Sequence, residues 1–162
     1  MNNNQFKLLS NAFENGKVIP SKFATTSVTG GKNYSIPLSW ENSPTGTKSF
    51  AVIIVDLHPV ANNWVHWMVI NIPVDIKLLE EGASGSKKMP QGSKELDNSF
   101  GWNGYGGPQP PKGSGPHKYE VTLYALNLEK LELDKHTSLK TFQKAIDGKI
   151  LATTKFTGVF ER

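Results

Sequence analysis

Residues 49–56 read SFAVIIVD and residues 64–72 read WVHWMVINI. The first run is unbroken apolar and largely β-branched from Phe50 to Val55, the pattern of a strand buried on both faces. The second is as apolar, interrupted only by His66 and Asn71. Asn62 and Asn63 between them suit a chain reversal, so the two runs read as central strands that can pair as a hairpin. Asp56 sits where the first strand leaves the core, His66 lies within the second, and pairing lets carboxylate and imidazole approach each other.

Outward from this hairpin, Tyr119 to Leu128 alternates Tyr119, Val121, Leu123 and Ala125 against Glu120, Thr122 and Tyr124, a strand with two differing faces. Tyr34 to Trp40 alternates in the same way, with Pro37 marking an edge or a bulge. Lys22 to Thr29 is rich in Thr and Val, and Gly30 and Gly31 after it suit a tight hairpin turn. Phe6 to Pro20 reads as irregular or strand-like, and Asp75 to Lys88 as mainly irregular. Thr137 or Ser138 can cap a helix whose stripe is Leu139, Phe142 and Ile146 and whose end is Gly148. Ala152 to Phe160 is a closing strand, although Ile150 to Thr153 could extend the helix. Many short strands and one late helix make the chain mainly β. The expected architecture is an antiparallel two-sheet β-sandwich with one or two short C-terminal helices, as a single domain over residues 1–162.

Between these strands runs Asn98 to Tyr119, NSFGWNGYGGPQPPKGSGPHKY, whose prolines and glycines exclude a continuous helix or a central strand. Long ordered loops usually carry function, and this one closes on His117 and Tyr119. Asp56, His66, His117 and Tyr119 are therefore the candidate set. Two imidazoles beside a carboxylate would make a cationic pocket that attracts an anion, with affinity weakening as pH rises through the histidine range. Glycine-rich backbone offers amide donors to a phosphate oxygen, and Trp64, Trp102 and Tyr105 can supply apolar walls.

Composition narrows the function. There is no cysteine, hence no disulfide, thiol nucleophile or thiolate metal site. The net charge of +4 is spread without the dense basic cluster of a nucleic-acid footprint. No apolar run reaches the roughly 20 residues that span a membrane, so no integral membrane association is expected. The MNNNQFKLL start lacks the pattern of a secretory signal, and the expected location is the cytoplasm. No cofactor motif or nucleophile elbow is present and no serine partner is identifiable for the Asp/His set, which argues against an enzyme. His66 or His117 as a general acid or base is the catalytic alternative. His58, His66 and His117, with Asp56 nearby, also have the ligand types of a zinc site.

KSFAVIIVDLHPV, then WVHWMVINIP, then NSFGWNGYGGPQPPKGSGPHKYEVTLYAL together resemble the phosphatidylethanolamine-binding protein family, also called the Raf kinase inhibitor protein family, in its bacterial and archaeal branch. NYSIPLSW, PTGTKSF and LATTKFTGVFER agree, and the resemblance runs from about Ser10 to Phe160. It implies a two-sheet antiparallel sandwich with a small pocket for phosphate or a phosphoethanolamine headgroup. Asp56, His66, His117 and Tyr119 would line that pocket, with Trp64, Gly107, Pro110 and Pro111 at its rim. It also brings a kinase or protease as conceivable protein partner, a surface-acting inhibitor as another alternative function, and a homodimer as conceivable assembly. The family's first motif, DPDAP, stands here as DLHPV, so His58 replaces the second acidic position, and Gln109 stands where animal members have glycine. The eukaryotic C-terminal extension is absent, as in the bacterial branch. Shared fold and pocket do not fix a partner, so kinase inhibition is not carried over.

Overall fold

The computed structural model describes residues 4–162. Eight strands form: β1 (Lys7–Leu9), β2 (Leu38–Glu41), β3 (Ser49–Asp56), β4 (Val65–Pro73), β5 (Leu78–Leu79), β6 (Lys94–Glu95), β7 (His117–Leu126) and β8 (Ile150–Phe160), with one helix, α1 (Leu139–Ile146). They make a three-stranded sheet in the order β1-β2-β5 and a five-stranded sheet in the order β6-β4-β3-β7-β8, every pairing antiparallel. The protein is thus mainly β, two antiparallel sheets with one helix.

The apolar runs are unbroken because the large sheet is covered on both sides. Phe50, Val52 and Ile54 of β3, Trp67 and Val69 of β4, and Val121 and Leu123 of β7 meet Leu8, Leu38, Trp40 and Leu79 of the small sheet. On the other face, Ala51, Ile53, Met68 and Ile70 pack against Leu131, Phe142 and Ile146. Burying side chains of this kind contributes about 1.5–3 kcal/mol each, so both layers are held by the same term. Ser138 caps α1, its Oγ accepting from the Thr141 amide at 3.1 Å. Gly148 follows with φ +71°, and the chain turns directly into β8 at Ile150 instead of extending the helix.

Two segments depart from their sequence pattern. Lys22 to Thr29 is not a strand and Gly30–Gly31 is not a hairpin: residues 21–23 form a short 3-10 turn, and the segment folds on itself through Val28 N–H to Thr25 O (3.0 Å) and Gly31 N–H to Val28 O (2.8 Å). Local turn bonding overrides the β-propensity of Thr and Val. In Tyr34 to Trp40 the strand starts only at Leu38, after Pro37, which has no amide to give a ladder.

Pairing of β3 with β4 shifts register twice, between Phe50 and Val52 and between Ile54 and Val55. Each shift places one extra residue on β4, which leaves two consecutive side chains on one face. At the first shift Asn71 takes φ +59° and turns its amide to Leu131, donating to the Leu131 carbonyl at 3.1 Å and accepting from the Leu131 N–H at 2.7 Å. This polar residue in an apolar run therefore pins the segment ahead of α1 to the sheet. No helix among the described residues is long and apolar enough to cross a membrane.

Asn71→Ala leaves both Leu131 backbone groups buried without partners, each costing about 1–3 kcal/mol. The variant is expected to be less stable by about 2–4 kcal/mol in urea denaturation, and a loss below 1 kcal/mol would show that the Leu131 segment finds other partners.

Candidate functional site

The second register shift builds the site. Asp56 stands directly opposite Tyr119 in the β3–β7 ladder, and His117, two residues earlier on β7, points to the same face. From the other side of β3, the extra residue near Val65 lets His66 face the sandwich interior together with Trp67. Asp56 (3%), His66 (3%), His117 (1%) and Tyr119 (1%) are all buried at the end of the inter-sheet core. They line a cavity of about 390 Å³ with Trp64, Pro110 and Pro111, so seven of the eight expected residues converge.

The eighth, Gly107, does not line the cavity. Its amide donates to Asn33 Oδ1 at 2.7 Å, and a Cβ there would fall 2.0 Å from the Phe23 carbonyl oxygen. Glycine is required because the loop presses against the turn at residues 21–23. Nor are the Gly106 and Gly113 amides held ready for an anion: Gly106 N–H donates to the His66 carbonyl and Gly113 N–H to that of Arg162. Of the expected apolar walls only Trp64 serves. Tyr105 is buried with its hydroxyl on the Phe23 carbonyl (2.9 Å), and Trp102 stacks outside on Phe100 (4.7 Å between centroids). Phe100 itself lines the cavity, edge-on to His66 at 5.5 Å and to Trp64 at 5.3 Å, together with Val60, Ala61 and Gln109. Gln109 Oε1 accepts from Thr25 Oγ1 at 3.0 Å, which leaves its amide hydrogens for the cavity.

Proton positions follow from what each partner can accept. Ser114 has one hydroxyl hydrogen and donates it to the Pro111 carbonyl at 2.6 Å, so it offers a lone pair to His117 Nε2, 2.9 Å away. On the other side of the ring, His117 Nδ1 lies 2.6 Å from Asp56 Oδ2, a carboxylate oxygen. The arrangement is complete when both nitrogens of His117 donate. Asp56 Oδ1 accepts from the His58 backbone N–H at 2.9 Å, and the His58 ring, whose Nδ1 accepts from Val60 N–H, stacks on His117 at 3.9 Å and 10°.

His66 is the other kind of imidazole. Its Nδ1 lies 2.6 Å from the Gly106 carbonyl, which only accepts, so Nδ1 carries the hydrogen. Burial drives its pKa down to about 4 against the raising effects of that bond and of Asp56, and the ring is neutral at pH 7. The expected doubly cationic pocket is therefore replaced by one neutral imidazole and one that is paired with Asp56. Tyr119 is held in its phenol form, burial first and the neighbouring Asp56 carboxylate second pushing its pKa up; the hydroxyl is turned toward that carboxylate's neighbourhood without a hydrogen bond of normal geometry among the described residues. Among the described residues no lysine or arginine lines the cavity; Arg162 donates from Nε to the Pro110 carbonyl at 2.9 Å.

The three-histidine metal arrangement gains no support from this geometry. His58 and His117 are stacked face to face, so their in-plane nitrogens do not converge, and no group of metal-competent side chains gathers among the described residues. Two positioning residues escaped the sequence reading. Ser114 is the serine partner not identified there, three residues before His117 in a loop whose turn decides the contact, and Phe100 carries no polar signal.

The sequence model described as phosphatidylethanolamine-binding protein matches residues 9–161. YbcL of Escherichia coli is 35% identical over 161 residues, covering 96% of this chain and 87% of the relative. A protein of the archaeon Methanothermobacter thermautotrophicus is 37% identical over 155 residues, covering 96% of this chain and 98% of the relative. The crystal structure of E. coli YbcL, described as a member of the mammalian PEBP family, superposes with a TM-score of 0.90 at 34% identity, covering 97% of this chain and 98% of that one. The PEBP homologue CT736 of Chlamydia trachomatis gives 0.84 at 29% identity, covering 98% and 99%. With sequence and fold matched over nearly its whole length, this chain belongs to the phosphatidylethanolamine-binding protein family, in its bacterial and archaeal branch.

Proposed function

We propose that the protein binds a small oxyanion of the phosphate or phosphoethanolamine type in the cavity between His66 and Tyr119, and acts by recognising that group on a ligand or a phosphoprotein. The observation that carries this reading is that Tyr119 lines the cavity and its hydroxyl, buried beside Asp56, makes no protein hydrogen bond of normal geometry. An unpaired buried hydroxyl costs about 1–3 kcal/mol and calls for an acceptor. An oxyanion supplies one, and Gln109 adds amide hydrogens from the facing loop. The Asp56–His117 pair and Ser114 hold the wall rigid, while Trp64, Pro110 and Pro111 give the remainder of the ligand an apolar collar.

One observation favours a second reading. Ser114, His117 and Asp56 are connected in the order of nucleophile, base and orienting acid. The hydrogen of Ser114, however, goes to Pro111 and not to His117, and Ser114 is not among the cavity-lining residues. Ser114 thus serves as a fixed acceptor for His117, and binding is the better reading. Hydrolysis of a model ester that Ser114→Ala removes would reverse this preference.

Tyr119→Phe is expected to lower phosphate affinity by about 10- to 100-fold in isothermal titration, the effect of one hydrogen bond to a charged group. Because burying that hydroxyl costs free energy without a protein hydrogen bond in return, the ligand-free unfolding midpoint should not fall and should rise if anything. Undiminished affinity would sink the proposal.

His66 also makes stability depend on pH. In the unfolded chain it takes a proton near pH 6.5 and in the fold only near 4, so the unfolded state binds more protons between these values. This contribution is absent above about pH 6.5 and destabilises the fold progressively as pH falls toward 4, by on the order of 3 kcal/mol. Urea denaturation at pH 7 and pH 4.5 should show a smaller drop for His66→Asn than for the unaltered protein, and equal drops would contradict it.

A further inference from the structure

Away from the cavity, the five-stranded sheet has one edge that its own chain leaves open, and we infer that this edge is closed by the same edge of a second copy, β8 against β8, antiparallel about Thr154. The opposite edge, β4, is covered by β6 and by the amides of Leu96, Ser99 and Gly106, which donate to the carbonyls of Met68, Val65 and His66. Along β8 the cover is partial. Thr157 and Val159 turn their N–H and C=O away from β7: the Thr157 amide donates to Asn15 Oδ1 at 2.8 Å and its carbonyl accepts from Gly16 N–H, while Val159 donates to the Lys17 carbonyl and accepts from Ile19 N–H. Backbone direction alternates along a strand, and the β7–β8 ladder runs without a shift from Ala152 to Phe160, so Thr153 and Lys155 turn their N–H and C=O the same way. Among the described residues these groups have no partner on that side, and both residues are exposed.

The open stretch is its own complement. A register shift at Leu151 bounds it at one end and the Asn15 contact at Thr157 bounds it at the other, which centres it on Thr154. A two-fold axis through that residue sets Thr153 opposite Lys155 of the second copy and Lys155 opposite its Thr153, and each opposed pair exchanges two N–H to C=O bonds, so no open group is left over on either edge. Side chains agree with this register. Thr154 meets Thr154, a favourable cross-strand pair, and each Lys155 faces a threonine instead of a lysine. The usual guards of an edge are missing: β8 contains no proline, and Lys155 bends back over its own sheet to Glu120 Oε1 at 2.8 Å, which also matches its charge. Ile150 (41% exposed) and Leu151 (40%) border the stretch and lose apolar surface to water in the pair. The net charge of +4 on each copy opposes approach only at low salt, since ~0.15 M salt screens exposed charges beyond about 8 Å. A second copy is the occupant because it brings the required strand, in the required register, with no like charges opposed.

Sedimentation velocity of the unaltered protein from about 10 µM to about 1 mM, the range in which small interfaces associate, is expected to show a reversible monomer–dimer equilibrium. Thr153→Pro removes an outward N–H and no bond of the β7–β8 ladder, so it should weaken the dimer by about tenfold or more while the monomer stays folded. Thr153→Lys keeps every backbone group and sets a lysine against Lys155 of the second copy, and it too should weaken the dimer, by about threefold or more. In amide exchange followed by NMR, Thr153 and Lys155 should gain protection of about tenfold or more as concentration rises, whereas Thr157, already bonded to Asn15 within one copy, should not change. A monomer throughout the range, a dimer that is as tight in both variants, or a dimer in which Thr153 and Lys155 stay unprotected would each overturn the inference. If Thr153→Pro does not fold, Thr153→Lys and the exchange of the unaltered protein decide the matter by the same outcomes.

Discussion

The mouth of the sandwich depends on one reciprocal pairing, that of His66 with Gly106. The Gly106 N–H donates to the His66 carbonyl at 2.8 Å, and the His66 ring donates from Nδ1 to the Gly106 carbonyl at 2.6 Å. A buried imidazole is tolerated only when its N–H is paired, and the loop backbone does this. In return the loop is fastened alongside β4 here, as it is by Ser99 at Val65, and Gly106 and Gly107 have no Cβ where Phe100 and the Phe23 carbonyl come close. The fastened loop covers His66, and covering His66 keeps it neutral. Neither the shape of the cavity nor its protonation state exists without the other.

Charge in the site is organised by Asp56 and contained by it. One carboxylate oxygen holds the backbone of His58 and the other holds His117, whose remaining nitrogen meets Ser114. The residues that attract attention in the sequence as a charged cluster are thus mutually satisfied scaffold. The groups left for a ligand are quieter ones, a phenol and the bare edge of a neutral imidazole. Recognition here is a matter of hydrogen-bond direction more than of net charge.

The central hairpin, β7 and α1 were legible because burial and capping leave local marks: the unbroken run Phe50 to Val55, the period-two pattern from Tyr119, and Ser138 with Gly148 around an apolar stripe. The convergence of Asp56, His66, His117 and Tyr119 was legible from the family motifs, and pairing of the hairpin from pattern. What could not be read depends on contacts distant in sequence. Lys22 to Thr29 carries β-prone residues yet closes on itself, because Gly107 and Pro108 are packed against it. The state of His66 follows from its cover, which no neighbour in sequence reports. Gly107 reads as rim and is a packing contact instead, since a glycine looks the same whether it makes room for a ligand or for backbone.

The two register shifts in β4 have a consequence for how this chain can change length. At each shift two neighbouring β4 side chains share a face, Ile70 with Asn71 toward the helix side and His66 with Trp67 toward the space between the sheets. On both sides of each shift the faces still match across the ladder: Ile72 with Phe50, Val69 with Val52, Trp67 with Ile54, Met68 with Ile53 and Val65 with Val55. Loss of one residue at either shift therefore removes a bulge and leaves the facing of the core intact, but at the second shift it leaves a single inward side chain where His66 and Trp67 both stand. The fold thus accepts a plain ladder that the site does not, because His66 turns inward only as the residue in excess on β4.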